Sequence, residues 1–290
     1  MTTPPKLYPP GEVLRRHGMT ARKSWGQHFL HDPGILGAIV AAIDPGRGRR
    51  IVEIGAGLGT LTTRLLAAGA EVWAVERDRD MCNVLREELK PFERHTLHEA
   101  DAVKFDYAAA QRDGVPADIV GNLPYHLTGK LMFKLLADND RTGRWVVMVQ
   151  REVARRMCAQ PGTKQYGSLT VALSRLRQLR PVIDAPPGAF LPPPKVDSAV
   201  VQLDARDKPR GEVADPEGFE FLVRTAFQQR RKTLLNALSA LAGKDRARAW
   251  CETTGIDPGL RPERLEPEAF AALQRAREAD PPDDPDPPDA

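Results

Sequence analysis

Short apolar runs rich in β-branched residues, at positions 51–54, 72–75, 118–120 and 145–149, alternate with stretches of helical spacing at 58–68, 80–89 and 129–136. Runs this short and apolar at nearly every position suit strands buried on both faces. The segments between them are long enough to be crossover helices. The chain is therefore expected to build βαβ units on a mainly parallel sheet, the α/β class. Two further runs, 176–183 and 199–203, flank the Pro-rich stretch APPGAFLPPP and are expected to close the sheet with an antiparallel hairpin. After position 204 the character changes. Segments 217–241 and 245–278 are rich in Ala, Leu, Arg and Glu, interrupted by GIDPGLRPERLEP, and predict four or five short helices. The expected organisation is a flexible basic arm over 1–31, an α/β domain over 32–205, a helical domain over 206–279 and a disordered acidic Pro-rich tail over 280–290.

Composition narrows the classes further. With 290 residues, 41% of them hydrophobic, most of the chain can bury a core, which excludes general disorder. The longest apolar run, Leu36 to Ile43 broken by Gly37, falls far short of the roughly 20 residues that span a bilayer. No membrane span and no secretory pattern are expected, so the expected compartment is the cytoplasm. Cys82, Cys158 and Cys251 are odd in number and form no CxxC pair, which points to structural thiols rather than a disulfide framework or a zinc site.

The net charge of +3 hides an uneven distribution, because five Asp residues sit in the last eleven positions and residues 1–279 carry +8. Nine bases fall between Arg141 and Arg180 against the single acid Glu152. Clustered cations favour a polyanion such as nucleic acid, although a solvated Arg-rich face has the same composition.

The first strand runs into Glu53-Ile54-Gly55-Ala56-Gly57-Leu58-Gly59-Thr60. Glycines after a strand let the backbone turn sharply and approach a ligand, and the following helix points free N–H groups at it. A tight βα turn has the same look. The NAD pattern GxGxxG would need glycine at position 60, where Thr60 stands. GxGxG instead suits S-adenosylmethionine, whose methionine end meets backbone amides and carbonyls without a pyrophosphate to cradle. Glu76 closes the second strand, 21 residues after Gly55, where an acid can accept hydrogen bonds from ribose hydroxyls. Asp101 follows the third strand and is placed to accept from an adenine amine; an N-cap acid reads the same way.

The fourth strand leads into Gly121-Asn122-Leu123-Pro124-Tyr125. Pro124 forces Leu123 out of the helical region and exposes its carbonyl, and Asn122 brings an amide oxygen beside it. An exocyclic amine donating both hydrogens to these two acceptors would be drawn toward tetrahedral geometry, freeing its lone pair. Tyr125 offers a face on which a base can stack, worth about 1–3 kcal/mol. A sulfonium methyl donor carries its own leaving group, so positioning is the main task and no catalytic base is needed.

In order along the chain stand Lys23-Ser24-Trp25-Gly26-Gln27-His28-Phe29-Leu30, EIGAGLGTLT from Glu53, Glu76, EADA around Asp101 and NLPY from Asn122. Gln150-Arg151-Glu152-Val153, Tyr166-Gly167-Ser168-Leu169, FLPPPKVDS from Phe190 and FQQRRKTL from Phe227 follow. This series resembles the ribosomal RNA adenine N6,N6-dimethyltransferase family, whose members modify two adjacent adenines near the 3′ end of small-subunit 16S rRNA. The likeness covers about residues 13–278. It implies a Rossmann-like class I S-adenosylmethionine-dependent methyltransferase with a small all-helical C-terminal domain, acting on the immature small subunit; no metal is expected, since the chemistry needs none, and a monomer is the default expectation for the oligomeric state. It further implies that Gln27, His28, Leu30, Gly55, Gly57, Gly59, Glu76, Asp101 and Asn122 hold the cofactor. Asn122, Leu123, Pro124 and Tyr125 would hold the target adenine, with Phe190 on its other face. Arg22 and Lys23, with Arg230, Arg231 and Lys232 on a helix, would grip RNA phosphates, the footprint widened by the basic stretch 141–180. The usual Asn of the first motif is His28 here; a histidine can still donate a hydrogen bond.

Two other readings remain open at this stage. Erythromycin-resistance type methylases of large-subunit rRNA share the fold, the Asn-x-Pro-Tyr turn and the Phe-x-Pro-x-Pro loop, though QPGTKQYGSL and FQQRRKTLLNAL fit the small-subunit family better. The other is an RNA-binding assembly or transcription factor that keeps the fold without catalysis.

Overall fold

The computed structural model describes residues 6–21, 27–229 and 231–280. Helix α1 (Pro10–Arg16) and the short strand β1 (Phe29–Leu30) precede α2 (Pro33–Ile43), whose first turn is capped by Asp32 accepting from the Ile35 amide. Then β2 (Arg50–Ile54), α3 (Thr60–Ala67), β3 (Glu71–Glu76), α4 (Arg79–Glu88), β4 (His95–Glu99), β5 (Ala117–Asn122), α5 (Thr128–Ala137) and β6 (Thr142–Gln150) follow in turn. Helices α6 (Arg151–Met157) and α7 (Ser168–Leu176) lead to β7 (Arg177–Ala185), β8 (Phe190–Leu191) and β9 (Ser198–Ala205). The chain ends in α8 (Pro216–Gln228), α9 (Leu234–Ala242), α10 (Lys244–Thr254) and α11 (Pro267–Glu278).

Seven strands form one sheet in the order β4-β3-β2-β5-β6-β9-β7. Strands β4 to β6 run parallel, and β9 pairs antiparallel with β6. The α/β reading and the closing role of the two late runs are thus borne out. Chain order reverses between β2 and β5, and ligands of open α/β sheets bind outside the carboxyl ends of the strands at such a point. Both strands are buried on both faces, as their unbroken apolar runs require: Ile51, Val52, Ile54, Ile119 and Val120 are all buried. Gly121 is fixed by this pairing, since a Cβ there would lie 2.5 Å from the Ile54 carbonyl oxygen.

The chain divides into two compact units, 1–154 with 178–205 and 155–177 with 206–290. The second therefore takes in α7 as well as the four C-terminal helices, where a domain beginning at 206 was expected. Its core gathers Phe219, Leu222, Leu234, Leu238, Trp250 and Phe270, joined by Tyr166 and Val171 from the earlier segment. The Tyr166 hydroxyl donates to the Leu265 carbonyl at 2.8 Å. Helix α7 escapes sequence reading because Thr170 and Val171 give it a β-like composition, and its packing partners lie far along the chain.

The expected flexible arm over 1–31 also differs. Val13 and Leu14 of α1 are buried with Leu58, Met81 and Val84, and Arg16 and His17 both meet Glu88, at 3.0 and 2.8 Å. Pro10 at the first helical position and two apolar residues with distant partners are enough to order this stretch. Of the expected tail only Asp280 is described; its carboxylate accepts from Trp250 Nε1 at 2.7 Å and Arg246 Nε at 2.9 Å. Among the described residues no helix is long and apolar enough to cross a membrane.

Candidate active site

At the end of β2 the backbone enters the left-handed region three times, with φ of 73° at Gly55, 56° at Gly57 and 77° at Gly59. Side chains at the last two would also be crowded, since a Cβ on Gly57 would lie 3.2 Å from the Phe29 ring and one on Gly59 3.1 Å from the Leu85 side chain. The turn delivers α3 with no side-chain cap on its first amides. Glu76, at the end of the neighbouring β3, accepts from the Gly57 amide at 2.9 Å through Oε2, and from the Arg77 and Asp78 amides at 2.7 and 2.8 Å through Oε1. Gln27 donates to Asp78 at 2.9 Å. Asp101 accepts from the Val103 amide at 2.9 Å, and its other oxygen lies 3.8 Å from Arg77.

Glu53 is a site residue that motif reading passed over. It lies on β2 with 2% exposure, and its Oε2 has no hydrogen-bond partner among the described residues; Thr60 Oγ1 at the head of α3 is likewise unpartnered. Burial pushes the Glu53 carboxyl up to about 8, with the Thr62 hydroxyl working against the shift and the negative Glu76 adding to it. The signal was a charged residue inside the otherwise apolar run Ile51-Val52-Glu53-Ile54.

The NLPY turn sits across the switch point. The Leu123 amide donates to the Met148 carbonyl at 3.0 Å, which carries β5 to its last pairing. Asn122 Nδ2 donates to the His28 carbonyl at 3.0 Å. A carbonyl can only accept, so this contact fixes the amide with its NH2 toward His28 and leaves Oδ1 on the other side. No described residue donates to Asn122 Oδ1 or to the Leu123 carbonyl. The Pro124 carbonyl is used by the Leu127 amide and the Thr128 hydroxyl. Tyr125 Oη shares a 2.7 Å hydrogen bond with Ser198 Oγ, and burial raises its phenol pKa, opposed by that bond.

His28 Nδ1 lies 2.8 Å from the Pro192 carbonyl, so Nδ1 carries a proton and donates it there. The histidine's donor is thus used within the protein, on the Pro192 carbonyl. Leu30 and Phe190 face one another across the antiparallel ladder of β1 and β8 and are 6% and 2% exposed. The Phe190 ring belongs to the core and has no open face in this structure, in contrast to its expected stacking role.

The expected RNA-gripping residues fare unevenly. Arg22, Lys23 and Arg230 lie outside the described residues. Arg231 and Lys232 are exposed, but in the turn between α8 and α9 rather than on a helix, because Thr233 caps α9 by accepting from the Asn236 amide. In the basic stretch 141–180, Arg175 and Arg177 are buried, Arg144 bonds to Asp204 at 2.6 Å and Arg151 pairs with Asp197 at 2.6 Å. Several of these cations therefore serve the fold rather than a solvent-facing surface. Cys82 and Cys251 are buried and Cys158 is half-buried, all three as free thiols. Among the described residues no group of three or more His, Cys, Asp or Glu side chains is arranged to hold a metal ion.

Comparison with known proteins agrees with this geometry. The family model described as ribosomal RNA adenine dimethylase matches residues 18–276. A ribosomal RNA small subunit methyltransferase A of Anaeromyxobacter sp. (strain K) is 47% identical over 280 residues, covering 92% of this chain and 98% of that protein. A crystal structure of a dimethyladenosine transferase from Plasmodium falciparum matches with a TM-score of 0.69 at 25% identity, over 85% of this chain and 96% of that one. The crystal structure of the 23S rRNA methyltransferase ErmE matches with a TM-score of 0.62 at 27% identity, over 86% of this chain and 98% of that one.

Proposed function

The chain belongs to the ribosomal RNA adenine dimethylase family, and from that premise we propose that it methylates N6 of two adjacent adenines in the 3′-terminal hairpin loop of 16S rRNA. The product is a pair of N6,N6-dimethyladenosines, formed on the immature small subunit during its biogenesis. The enzyme would act as a monomer, in the cytoplasm where its substrate is assembled.

The residues present fit S-adenosylmethionine. A buried polar atom left without a partner costs about 1–3 kcal/mol, and Glu53 Oε2 and Thr60 Oγ1 are two such atoms at the glycine turn. Glu53 would receive the methionine ammonium and ionise opposite it, while the amides of the first turn of α3 would receive the carboxylate. Each Glu76 oxygen has lone pairs beyond those its backbone donors occupy, so it can also accept from ribose hydroxyls. Asp101 would accept from the adenine amine, and Gln27 and Leu30 would close the pocket from the N-terminal side, the His28 side-chain donor being spent on the Pro192 carbonyl. When bound, S-adenosylmethionine supplies an electrophilic methyl and a neutral thioether leaving group.

The observation that carries the reading is the pair of oxygens at Asn122 Oδ1 and the Leu123 carbonyl, both free of protein donors and both at the switch point beside the glycine turn. A target adenine splayed from its loop would place its two N6 hydrogens on them and stack on Tyr125. Pro124 disfavours the helical conformation at Leu123, which keeps the Leu123 carbonyl out of a helical hydrogen bond. With both hydrogens held and the nitrogen drawn toward tetrahedral geometry, its lone pair is withdrawn from conjugation with the ring and would be free to accept the methyl group. The two oxygens stabilise the positive nitrogen, which then loses its proton to water. A flipped base reaches the Phe190 ring only after displacing the atoms that cover it.

The test is incubation of the protein with tritiated S-adenosylmethionine and immature small subunits, followed by digestion and nucleoside analysis. The expected label is N6,N6-dimethyladenosine at two adjacent positions of 16S rRNA. Label in large-subunit rRNA instead, or none in either, would overturn the proposal.

A further inference from the structure

Residues 27–31 are stitched to the loop that follows β7. The His31 amide donates to the Ala189 carbonyl at 2.9 Å, and the β1/β8 ladder pairs Phe29 with Leu191 and Leu30 with Phe190. His28 Nδ1 adds the last stitch, at 2.8 Å to the Pro192 carbonyl. The same residue reaches the catalytic turn twice. Its own carbonyl accepts from Asn122 Nδ2 at 3.0 Å, and its ring lies nearly parallel to Tyr125, with centroids 6.2 Å apart and planes inclined by 21°. Three segments distant in sequence therefore meet at one side chain and its peptide group.

We propose that His28 is a positioning residue for methyl transfer, its ring tying the 189–192 loop to the frame in which its carbonyl holds the Asn122 amide. This inference rests on the methyltransferase reading above. Asn122 Oδ1 stays on the side away from His28 only while the amide nitrogen is engaged by the His28 carbonyl, so loosening residue 28 frees the amide to rotate. Nδ1 of histidine and Nδ2 of asparagine are both attached to Cγ, the same number of bonds from Cα, so both can place an N–H on the Pro192 carbonyl. An asparagine at position 28 could therefore keep this stitch. Misplacing a reacting group by about 1 Å can cost on the order of a hundredfold in rate, so a latch of this kind acts on turnover.

His28→Leu keeps apolar bulk and removes the donor; His28→Asn keeps the donor and removes the ring. For His28→Leu, kcat at saturating substrates should fall by about tenfold or more, with the Kd for S-adenosylhomocysteine within about threefold of wild type. His28→Asn should recover most of the lost turnover. Hydrogen–deuterium exchange at the amides of residues 189–191 and His31 should rise in His28→Leu and fall back in His28→Asn. Unchanged exchange in His28→Leu overturns the latch whatever the activity. So does a loss confined to cofactor affinity, or failure of His28→Asn to recover turnover. Wild-type protein that methylates no adenine would sink the functional reading while leaving the exchange comparison to judge the latch.

Discussion

The Gly57 amide donates to Glu76 Oε2 at 2.9 Å, so the acid that ends β3 holds the glycine turn that ends β2. The same carboxylate also accepts from the Arg77 and Asp78 amides, which locks its plane before any ligand arrives. Pre-orientation of this kind spares a ligand the entropy of ordering the acceptor.

Glu76→Ala removes the acceptor that holds the turn and, in the proposed site, the ribose acceptor as well. A hydrogen bond to a charged group contributes about 1.5–3 kcal/mol, so the Kd for S-adenosylhomocysteine should rise by roughly ten- to a hundredfold. Isothermal titration calorimetry checks this. An unaltered Kd would remove Glu76 from the cofactor site.

In the proposed reaction Tyr125 serves the other substrate. Tyr125→Ala deletes the stacking face, worth about 1–3 kcal/mol, and should cut turnover by roughly five- to a hundredfold with cofactor affinity nearly unchanged. Tyr125→Phe loses only the bond to Ser198 and should stay close to wild type. Equal losses of cofactor affinity in Tyr125→Ala and Glu76→Ala would contradict the division of labour between these residues.

Glu53 makes stability depend on pH in a direction opposite to most acids. Its folded pKa of about 8 lies above the ordinary 4.5, so the folded state holds a proton that the unfolded state has released between these values. Stability is therefore lost as pH rises through that window. Glu53→Gln should raise the Tm of the cofactor-free protein above pH 8, on the order of 5 °C, and the gain should vanish below pH 4.5. The same variant should gain less thermal protection from S-adenosylhomocysteine, because an amide cannot ionise opposite an ammonium. A pH-independent difference between the two proteins would deny Glu53 its titrating role.

Local patterns made part of this site legible. Gly55, Gly57 and Gly59, the strand-end acid Glu76 and the Asn122–Tyr125 turn announce themselves because their conformations are set by neighbours in sequence. Phe190 could not be read this way: its burial comes from the β1/β8 ladder, whose two strands lie at opposite ends of the α/β domain. The same holds for α1, ordered by Val13 and Leu14 finding Leu58, Met81 and Val84. Charge was the least legible property, since composition counts Arg175 and Arg177 as surface cations while the fold buries both. Likewise the sequence shows that His28 can donate, but not that its partner is the Pro192 carbonyl, 164 residues away.

The cations that remain exposed give the last prediction. Arg231 and Lys232 stand in the turn before α9 with no ion pair among the described residues, whereas Arg177 is fully buried. A phosphate contact releases counterions, so each one lost should flatten the plot of log affinity against log salt by about 0.7 for single-stranded RNA. Arg231→Ala and Lys232→Ala should each reduce the slope of binding to a 16S hairpin fragment in this way and leave the Tm unchanged. Arg177→Ala should lower the Tm, since a buried guanidinium and its partners are disrupted, and leave the slope alone. Fluorescence anisotropy over a salt series separates the two behaviours, and an undiminished slope in the Arg231→Ala/Lys232→Ala double variant would remove this turn from the RNA footprint.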